Sequence, residues 1–331
     1  MPAALRRTFC PLAVLSCAAF ILTSHAATPQ WQPERNIEIL VGVTPGGPVD
    51  VSARLFQKIA QDRQFVATSM SVVNRPGANN ALAWVALNQH AGDAHYVAMT
   101  LPNIVTNRIT GVHPLNYSDV TPLAQLNSEY IAFTVKPDSP IRSGKDFIER
   151  LRENPGALSI AFSNIGSANH IGAAVLFKAA GLDVRKAKLV SFKGASEAVT
   201  ALMGGHVDAI ASSASTILSQ VQSGQLRPIA VAAPKRLSGA MSGVPVWKEQ
   251  GVNAVFANWR GIVGPRGLTP EQIAYWDSLI GKLVRSEEWL REVHSRGWEP
   301  DYLNSSESRR FLERQNEELK GLLGDLGLAK F

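Results

Sequence analysis

The stretch VTPGGPVDVSAR, residues 43–54, predicts a tight turn between a strand and a helix. The residues before the turn, IEILVGV (37–43), form an apolar run rich in β-branched side chains, which is typical of a buried strand. After the turn, Val51, Leu55 and Ile59 recur at the spacing of one helical face. The stretch is therefore the first strand-to-helix unit of an α/β fold.

Asp50 lies where this turn meets the helix. We predict that Asp50 is the N-cap, because a carboxylate there can accept hydrogen bonds from backbone N–H groups two or three residues further on. Asp50 and Arg54 are four residues apart, and this spacing predicts a weak ion pair on the helix.

Strand-like and helix-like segments alternate along the rest of the chain. We predict further strands at residues 69–73, 96–101, 131–135, 159–163, 189–192, 209–212 and 229–233. We predict further helices at residues 80–88, 143–153, 170–180, 196–203 and 305–326. The alternation predicts parallel sheets flanked by helices, which is the α/β class.

Length and composition are those of a globular protein with room for two domains. The chain has 331 residues, of which 45% are hydrophobic and 18% charged, and its formal net charge is +6. The small basic excess slightly favours anionic ligands. Because the sequence has no run of Lys and Arg interleaved with aromatic residues, we predict no nucleic-acid partner.

Residues 1–26 have the layout of a Sec-type signal peptide. Arg6 and Arg7 precede an apolar stretch at residues 12–22, and a small-x-small cleavage pattern ends at Ala26. The apolar stretch is too short for a stable membrane anchor. We therefore predict export to the periplasm and a mature chain that begins after the leader.

Both cysteines, Cys10 and Cys17, lie in this leader. The mature chain therefore has no thiol for a disulfide, a zinc site or a nucleophile. Lipid attachment at Cys17 is an alternative to cleavage, but we favour cleavage because the apolar run continues past this residue.

We predict two domains, with the chain crossing between them twice. The strand-like segment at residues 131–135 predicts the first crossing, and the return follows the strand at residues 229–233. The first domain comprises residues 27–127 together with 235–331, and the second comprises residues 128–234.

Two loops have the composition of an anion-binding turn, one at residues 44–50 and one at residues 163–170. Each runs from a strand into a helix and carries glycine with small hydroxyl or amide residues. Free N–H groups and the partial positive charge of a helix start suit a carboxylate or phosphate. For either loop alone, an ordinary structural turn is the alternative.

The sequence lacks the motifs of common enzyme sites. It contains no G-x-x-x-x-G-K-[ST], no G-x-G-x-x-G at a helix start, no G-x-S-x-G and no H-E-x-x-H, so we predict no catalytic residue, cofactor or metal. For His170, at a predicted helix start, we favour capping or packing over catalysis. For Trp259 and Arg260 we favour core packing, with a pocket wall as the alternative.

The chain contains, in this order, the segments TPGGPVDVSAR, NRPGANN, SDVTPLAQLNSEY, GGHVDAIASS, GQLRPIAVAAPKR, VPVWKEQGV and NWRGIVGPRGLTP. Together they resemble the substrate-binding receptors of tripartite tricarboxylate transporters, the Bug family, and most of all its tricarboxylate-receptor branch. The resemblance extends from residue 37 to the C-terminus.

This resemblance implies a two-domain periplasmic-binding-protein fold of the Venus-flytrap kind (type II), with the ligand in the cleft between the domains. It implies a citrate-like di- or tricarboxylate as ligand, no catalysis, and delivery of the ligand to the membrane subunits of the transporter. We further predict a monomer. A receptor that presents its ligand to a sensor protein is one alternative, and an exported hydrolase is another.

The resemblance also implies the residues of the ligand site. The first loop contributes Thr44, Pro45, Gly46, Gly47 and Asp50. The implied cleft wall and the second loop comprise Gly77, Ala78, Asn79, Asn80, Ser163, Asn164, Ile165, Gly166, Ser167 and His170. Ser212 and Ser213 contribute from the second domain. The sequence departs from the family pattern at Asn164, Ile165, Asn169 and residues 193–196, where specificity is expected to be set.

Overall fold

The computed structural model describes residues 31–330. The predicted leader at residues 1–26, with Cys10 and Cys17, lies outside the described residues. Within the described range, no helix is both long enough and apolar enough to cross a membrane.

The strands of the described part of the chain are short, with the exception of the fourth, which has 15 residues. In chain order they are β1 (Ile37–Val41), β2 (Met70–Asn74), β3 (Tyr96–Thr100), β4 (Thr121–Val135), β5 (Ser159–Ser163), β6 (Lys188–Phe192), β7 (Ala209–Ser213), β8 (Arg227–Val231), β9 (Ala257–Gly264) and β10 (Glu299–Leu303).

Helices follow most of these strands, as the alternating pattern predicts. They are α1 (Pro48–Asp62), α2 (Ala81–Asn88), α3 (Asn103–Ile109), α4 (Gly144–Glu153), α5 (Ala168–Ala179), α6 (Ala195–Met203), α7 (Leu218–Gln222), α8 (Pro270–Val284), α9 (Glu287–Ser295) and α10 (Ser305–Asp325). Short 3-10 turns occupy several connections, among them Ala78–Asn80 and Ala214–Ile217.

The strands pair in the order β2-β1-β3-β9-β4-β7-β5-β6, and β8 and β10 pair with β4. β1 is parallel to β2 and β3, and β5 is parallel to β6 and β7. β9 is antiparallel to both β3 and β4. We call the part built on β1, β2 and β3 lobe 1, and the part built on β5, β6 and β7 lobe 2.

Strand β4 passes from lobe 1 to lobe 2. Up to Tyr130 it pairs with β9, and from Ile131 it pairs with β7. All 15 of its residues are buried. The pairing therefore changes partner within one continuous strand, and the predicted domain limits at 127/128 and 234/235 stay a prediction.

One large apolar cluster contains residues of both lobes, among them Leu40 of β1 and Ile160 of β5, and each lobe also has a cluster of its own. Phe56, Trp276 and Trp289 are fully buried in the core of lobe 1. Leu202 and Ile210 are fully buried in the core of lobe 2. Burying an apolar side chain of this size stabilises the fold by about 1.5–3 kcal/mol. These cores hold the strands from which the site loops emerge.

Candidate functional site

A cavity of about 690 Å³ lies between the two lobes. Small-molecule sites have volumes of about 300–1,000 Å³, so the cavity can take a metabolite. Lobe 1 lines it with Pro48, Val49, Asn79, Asn80, Leu101, Asn103 and Val112. Lobe 2 lines it with Ser163, Asn164, Ile165, Ser167, Ala168, Asn169, Ala195, Ser213 and Thr216. Strands β4 and β9 add Glu129, Asn258 and Arg260.

The structure brings part of the predicted site into this lining. The predicted residues that line the cavity are Asn79, Asn80, Ser163, Asn164, Ile165, Ser167 and Ser213. The predicted residues outside the lining are Thr44, Pro45, Gly46, Gly47, Asp50, Gly77, Ala78, Gly166, His170 and Ser212. Most of the outside group flank the lining residues in the chain, so they can shape the wall without forming it.

The first loop differs from the sequence expectation at Asp50. Helix α1 begins at Pro48, and its N-cap is Gly47. Proline suits the first helical position because its fixed φ matches the helix and its missing N–H has no intrahelical partner there. The prediction that Asp50 is the N-cap is therefore wrong, because Asp50 is the third residue of the helix.

Asp50 instead stabilises the turn that precedes the helix by accepting hydrogen bonds. Its Oδ2 accepts from the Gly46 N–H and from Arg54 Nε, each at 2.9 Å, and its Oδ1 accepts from Asn74 Nδ2 at 2.9 Å. The predicted ion pair with Arg54 is confirmed. Burial by itself would raise the pKa of Asp50, but these hydrogen bonds outweigh it and hold the pKa below its usual value.

The segment from Gly77 to Asn80, which contributes to the cavity wall in lobe 1, has an unusual backbone conformation. Ala78, Asn79 and Asn80 have φ values of 44°, 51° and 76°, in the left-handed region that non-glycine residues rarely adopt. Asn79 Nδ2 donates to Asn107 Oδ1 at 2.8 Å, and Asn107 Nδ2 donates to the Asn79 carbonyl at 3.1 Å. Such strain persists only where surrounding contacts impose it, and it is frequent at ligand sites.

Gly42, which follows β1, lets this segment approach closely. A Cβ at Gly42 would lie 2.7 Å from the Cα of Asn80, so no larger residue fits. Asn80 is nearly buried, and its Oδ1 has no hydrogen-bond partner among the described residues. Gly42 therefore positions a lining residue, although no local sequence pattern marks it.

The second loop forms the facing wall directly. Asn164 adopts a φ of 43°, and Ile165 is 67% exposed at the cavity. Ser167 is the N-cap of α5, and its Oγ accepts from the His170 N–H at 3.3 Å. Ser163 Oγ accepts from Asn169 Nδ2 at 2.8 Å. The loop is thus held by its own hydroxyl and amide groups while Asn164 and Ile165 line the cavity.

His170 lies behind this wall. Its ring stacks on Phe162 at a centroid distance of 4.4 Å, and its Nδ1 accepts from the Gly166 N–H at 3.1 Å. Burial lowers the pKa of His170 to about 4, so the ring is neutral near pH 7. These contacts are those of a packed residue that holds the loop.

The two serines at the end of β7 have different environments. Ser213 lines the cavity, and its Oγ accepts from Asn258 Nδ2 at 3.5 Å, the long limit of a hydrogen bond. Ser212 is fully buried, and its Oγ has no partner among the described residues. Successive residues of a strand point to opposite faces, so Ser213 and Ser212 cannot both face the cavity.

Trp259 and Arg260 have different environments, so each has one of the two roles that the sequence left open. Trp259 is in the core, where its Nε1 donates to Gln315 Oε1 at 2.7 Å and its ring packs edge-on against Phe311. Arg260 lines the cavity, and its guanidinium lies 4.4 Å from the ring centre of Trp298.

Glu129 is a lining residue that the sequence analysis did not identify. Its Oε2 accepts from Arg260 Nη2 at 2.5 Å, and its Oε1 accepts from Ser215 Oγ. Both charged side chains are almost completely buried. The signal that could have found the pair is one acid and one arginine, each next to an aromatic residue: Glu129 precedes Tyr130, and Arg260 follows Trp259.

The lining as a whole is rich in amides and carries no net formal charge. Its six asparagines are Asn79, Asn80, Asn103, Asn164, Asn169 and Asn258, and its two charged residues are Glu129 and Arg260. Among residues 31–330, no group of three His, Cys, Asp or Glu side chains could hold a metal ion. Amides and hydroxyls that donate and accept hydrogen bonds suit a small polar ligand.

Comparison with known proteins gives a consistent result. Residues 54–328 match the model of the tripartite tricarboxylate transporter family receptor. Protein BugT of Bordetella pertussis is 24% identical, over 93% of this chain and 95% of its own length. A TctC solute-binding protein from Polaromonas, solved without ligand, is 26% identical with a TM-score of 0.77, over 88% of this chain and 99% of that one.

A second solved structure, R. palustris Rpa4515 with adipate, has a TM-score of 0.75 and 23% identity over 90% of this chain and 99% of that one. Together the two structures confirm the predicted fold class, a two-lobed α/β binding-protein fold.

Proposed function

The chain belongs to the tripartite tricarboxylate transporter receptor family, and from this premise we propose that it is a periplasmic receptor that captures a citrate-like di- or tricarboxylate. The resemblance predicted from the sequence is confirmed by the family match. The family is one of receptors, so the proposal includes no reaction. It does include export by the leader at residues 1–26 and delivery of the ligand to transporter membrane subunits.

The observation that carries the proposal is the position of two helix starts at one cavity. Pro48 and Val49 at the start of α1 line it from lobe 1, and Ser167 and Ala168 at the start of α5 line it from lobe 2. The N-terminus of a helix carries a partial positive charge of roughly half a unit. Two of them at one cavity favour an anion held by both lobes.

The hydrogen-bonding groups of the lining support a carboxylate in particular. Amide and hydroxyl groups of Asn79, Asn164 and Ser213 lie around the cavity and can donate to carboxylate oxygens. Adipate, present in the R. palustris structure, is an acid of the proposed class. We propose the lining residues of the predicted set as ligand contacts, and the remaining members as residues that shape the loops.

A ligand held by both lobes would favour a closed arrangement of the two lobes. The connections in the described range that could act as a hinge include β4, which passes between the lobes at residues 130–131. We propose the domain limits 27–127 with 235–331, and 128–234, for the two bodies that move. Such closure is the usual response of binding proteins to their ligands.

Thermal denaturation of the mature chain, beginning at Ala27, tests the proposal. We expect one or more carboxylates from a panel of mono-, di- and tricarboxylates to stabilise it by about 2.7 kcal/mol at a hundredfold excess over Kd. Diols of the same chain length should have no effect. A panel in which no carboxylate stabilises the chain would contradict the proposal.

A matched pair of variants locates the binding. Ala195 lines the cavity at the start of α6, and Ser196 is the exposed next residue outside the lining. Ala195→Phe should abolish the stabilisation by ligand, because the ring occupies the cavity. Ser196→Phe should retain it. Equal ligand shifts in the two variants would place the ligand elsewhere.

A further inference from the structure

The cavity wall contains one buried ion pair. Among the lining residues only Glu129 and Arg260 carry a formal charge, and they are 1% and 2% exposed. Arg260 Nη2 donates to Glu129 Oε2 at 2.5 Å, and Ser215 Oγ donates to Glu129 Oε1. Glu129 therefore holds one edge of the guanidinium and is itself held by a residue of lobe 2.

The guanidinium of Arg260 has donor capacity left over. A guanidinium carries five N–H donors. Nη1 of Arg260 is buried and has no hydrogen-bond partner among residues 31–330. A buried charged donor without an acceptor is unfavourable, so a ligand acceptor that reached Nη1 would relieve this cost.

The orientation of the guanidinium is fixed before any ligand arrives. It lies over Trp298 at 4.4 Å from the ring centre, while Glu129 fixes its Nη2 edge. Arginine in such a fixed plane is suited to a carboxylate, which it can bind through two parallel hydrogen bonds.

We propose that Arg260 binds a second carboxylate of the ligand and that Glu129 disfavours a third, so that the receptor selects dicarboxylates. This inference rests on the proposed function, in which the first carboxylate lies at the helix starts. The lining offers no cation besides Arg260. A third carboxylate would therefore lie near the buried carboxylate of Glu129 without a cation of its own, and like charges repel strongly in a buried site.

Three acids with the same five-carbon chain isolate the number of carboxylates. Pentanoate has one, glutarate has two, and tricarballylate has a third on the central carbon. Adipate and hexanoate repeat the first comparison with a six-carbon chain. In calorimetric titrations we expect the wild-type chain to bind the preferred dicarboxylate about tenfold to a hundredfold more tightly than its monocarboxylate, the effect of one charge-assisted pair. We expect glutarate to bind more tightly than tricarballylate.

Two variants assign these preferences to the ion pair. Arg260→Gln alone would leave the Glu129 carboxylate buried without its partner, so the double variant Glu129→Gln/Arg260→Gln is used to remove both charges. We expect it to lose the preference for dicarboxylate over monocarboxylate while pentanoate affinity is retained. We expect Glu129→Gln alone to bind tricarballylate more tightly relative to glutarate than the wild-type chain does.

Arg296→Gln is the matched control. Arg296 also lies near Trp298, at 5.8 Å from the ring centre, but it is outside the lining and partly exposed. The control should keep all the wild-type preferences.

The outcomes separate this inference from the proposed function. If the wild-type chain binds these acids but the double variant keeps the dicarboxylate preference, or loses all affinities equally, Arg260 is structural and the inference fails. Tightest binding of tricarballylate by the wild-type chain would also overturn it. If none of the acids binds the wild-type chain, the inference fails, and the proposed function fails as well only if no carboxylate of the full panel stabilises the chain.

Discussion

The two helix-start loops at the cavity share a turn at a left-handed glycine, but a different side chain accepts the hydrogen bond from that glycine in each loop. In the first loop Gly46 has a φ of 88°, and its N–H donates to Asp50, four residues further on. In the second loop Gly166 has a φ of 78°, and its N–H donates to His170, again four residues further on. The acceptor is an ionised carboxylate in the first loop and a neutral imidazole in the second.

This comparison shows how a glycine turn at a helix start can be used. In both loops the N–H of the left-handed glycine is bonded within the protein, so it is not free for an anion. Asn164 and Ile165 of the second loop line the cavity, whereas residues 44–47 of the first do not. The glycines set the shape of each turn. The residues that line the cavity are Pro48 and Val49 after the first turn, and Asn164, Ile165 and Ser167 in the second.

The largest expected effect on stability is at Asp50, which accepts the hydrogen bonds of the first loop. Asp50→Ala removes the acceptor of three hydrogen bonds, from Gly46, Arg54 and Asn74. We expect the free energy of unfolding to fall by about 2–4 kcal/mol, since hydrogen bonds to a charged acceptor contribute more than neutral ones. Urea denaturation measures it. Asp50→Asn retains one oxygen acceptor and should lose less, and an unchanged free energy of unfolding in Asp50→Ala would show that the carboxylate does not stabilise the turn.

Acid should weaken the contribution of His170 to stability at a higher pH than it weakens the contribution of Asp50. Burial lowers the folded-state pKa of His170 to about 4, so its contribution is complete above its unfolded pKa and is lost progressively below that. At pH 5 the loss should be about 2 kcal/mol relative to neutral pH, from a difference of about 1.5 between the unfolded pKa near 6.5 and the pH. Hydrogen bonds lower the folded pKa of Asp50, so its contribution disappears only at still lower pH.

The free energy of unfolding between pH 7 and pH 4 measures this difference. His170→Gln should flatten the profile in that range, and Asp50→Asn should leave its slope unchanged there. A profile that His170→Gln does not flatten would assign the acid sensitivity to other groups.

The smallest effects come from the glycines themselves. A Cβ added at Gly46 or at Gly166 would meet no atom within 4 Å, so alanine there introduces backbone strain alone. We expect Gly46→Ala and Gly166→Ala each to cost about 1 kcal/mol of stability. Ligand affinity should fall in Gly166→Ala, whose neighbours Ile165 and Ser167 line the cavity, and stay unchanged in Gly46→Ala. The reverse result would make the first loop the dominant ligand contact.

Local patterns predicted the loops because the relevant information lies within a few residues. β1, α1, β5 and α5 lie close to their predicted positions, since apolar runs and turn residues define them. The error at Asp50 has a local cause as well. An acid in the first turn resembles an N-cap, and Pro48, which favours the first helical position, was the signal for a helix start three residues earlier.

The buried ion pair of Glu129 and Arg260 could not be predicted from local patterns. The segment of β4 before Ile131 was not predicted as a strand, although Gln125, Asn127 and Glu129 occupy alternate positions; such a pattern predicts that these polar residues face solvent. These residues are buried because β9 pairs with them from more than 100 residues away. Glu129 and Arg260 meet only in the folded chain, so no local pattern places them together.

The central claim is that the ligand is a dicarboxylate bound in the cavity between the lobes, and a crystal structure of the mature chain with glutarate tests it most directly. We predict one carboxylate at the starts of α1 and α5 and the other at Arg260, with the ligand in contact with both lobes. Glutarate bound anywhere outside this cavity, or bound in it without contact to Arg260, would contradict the account.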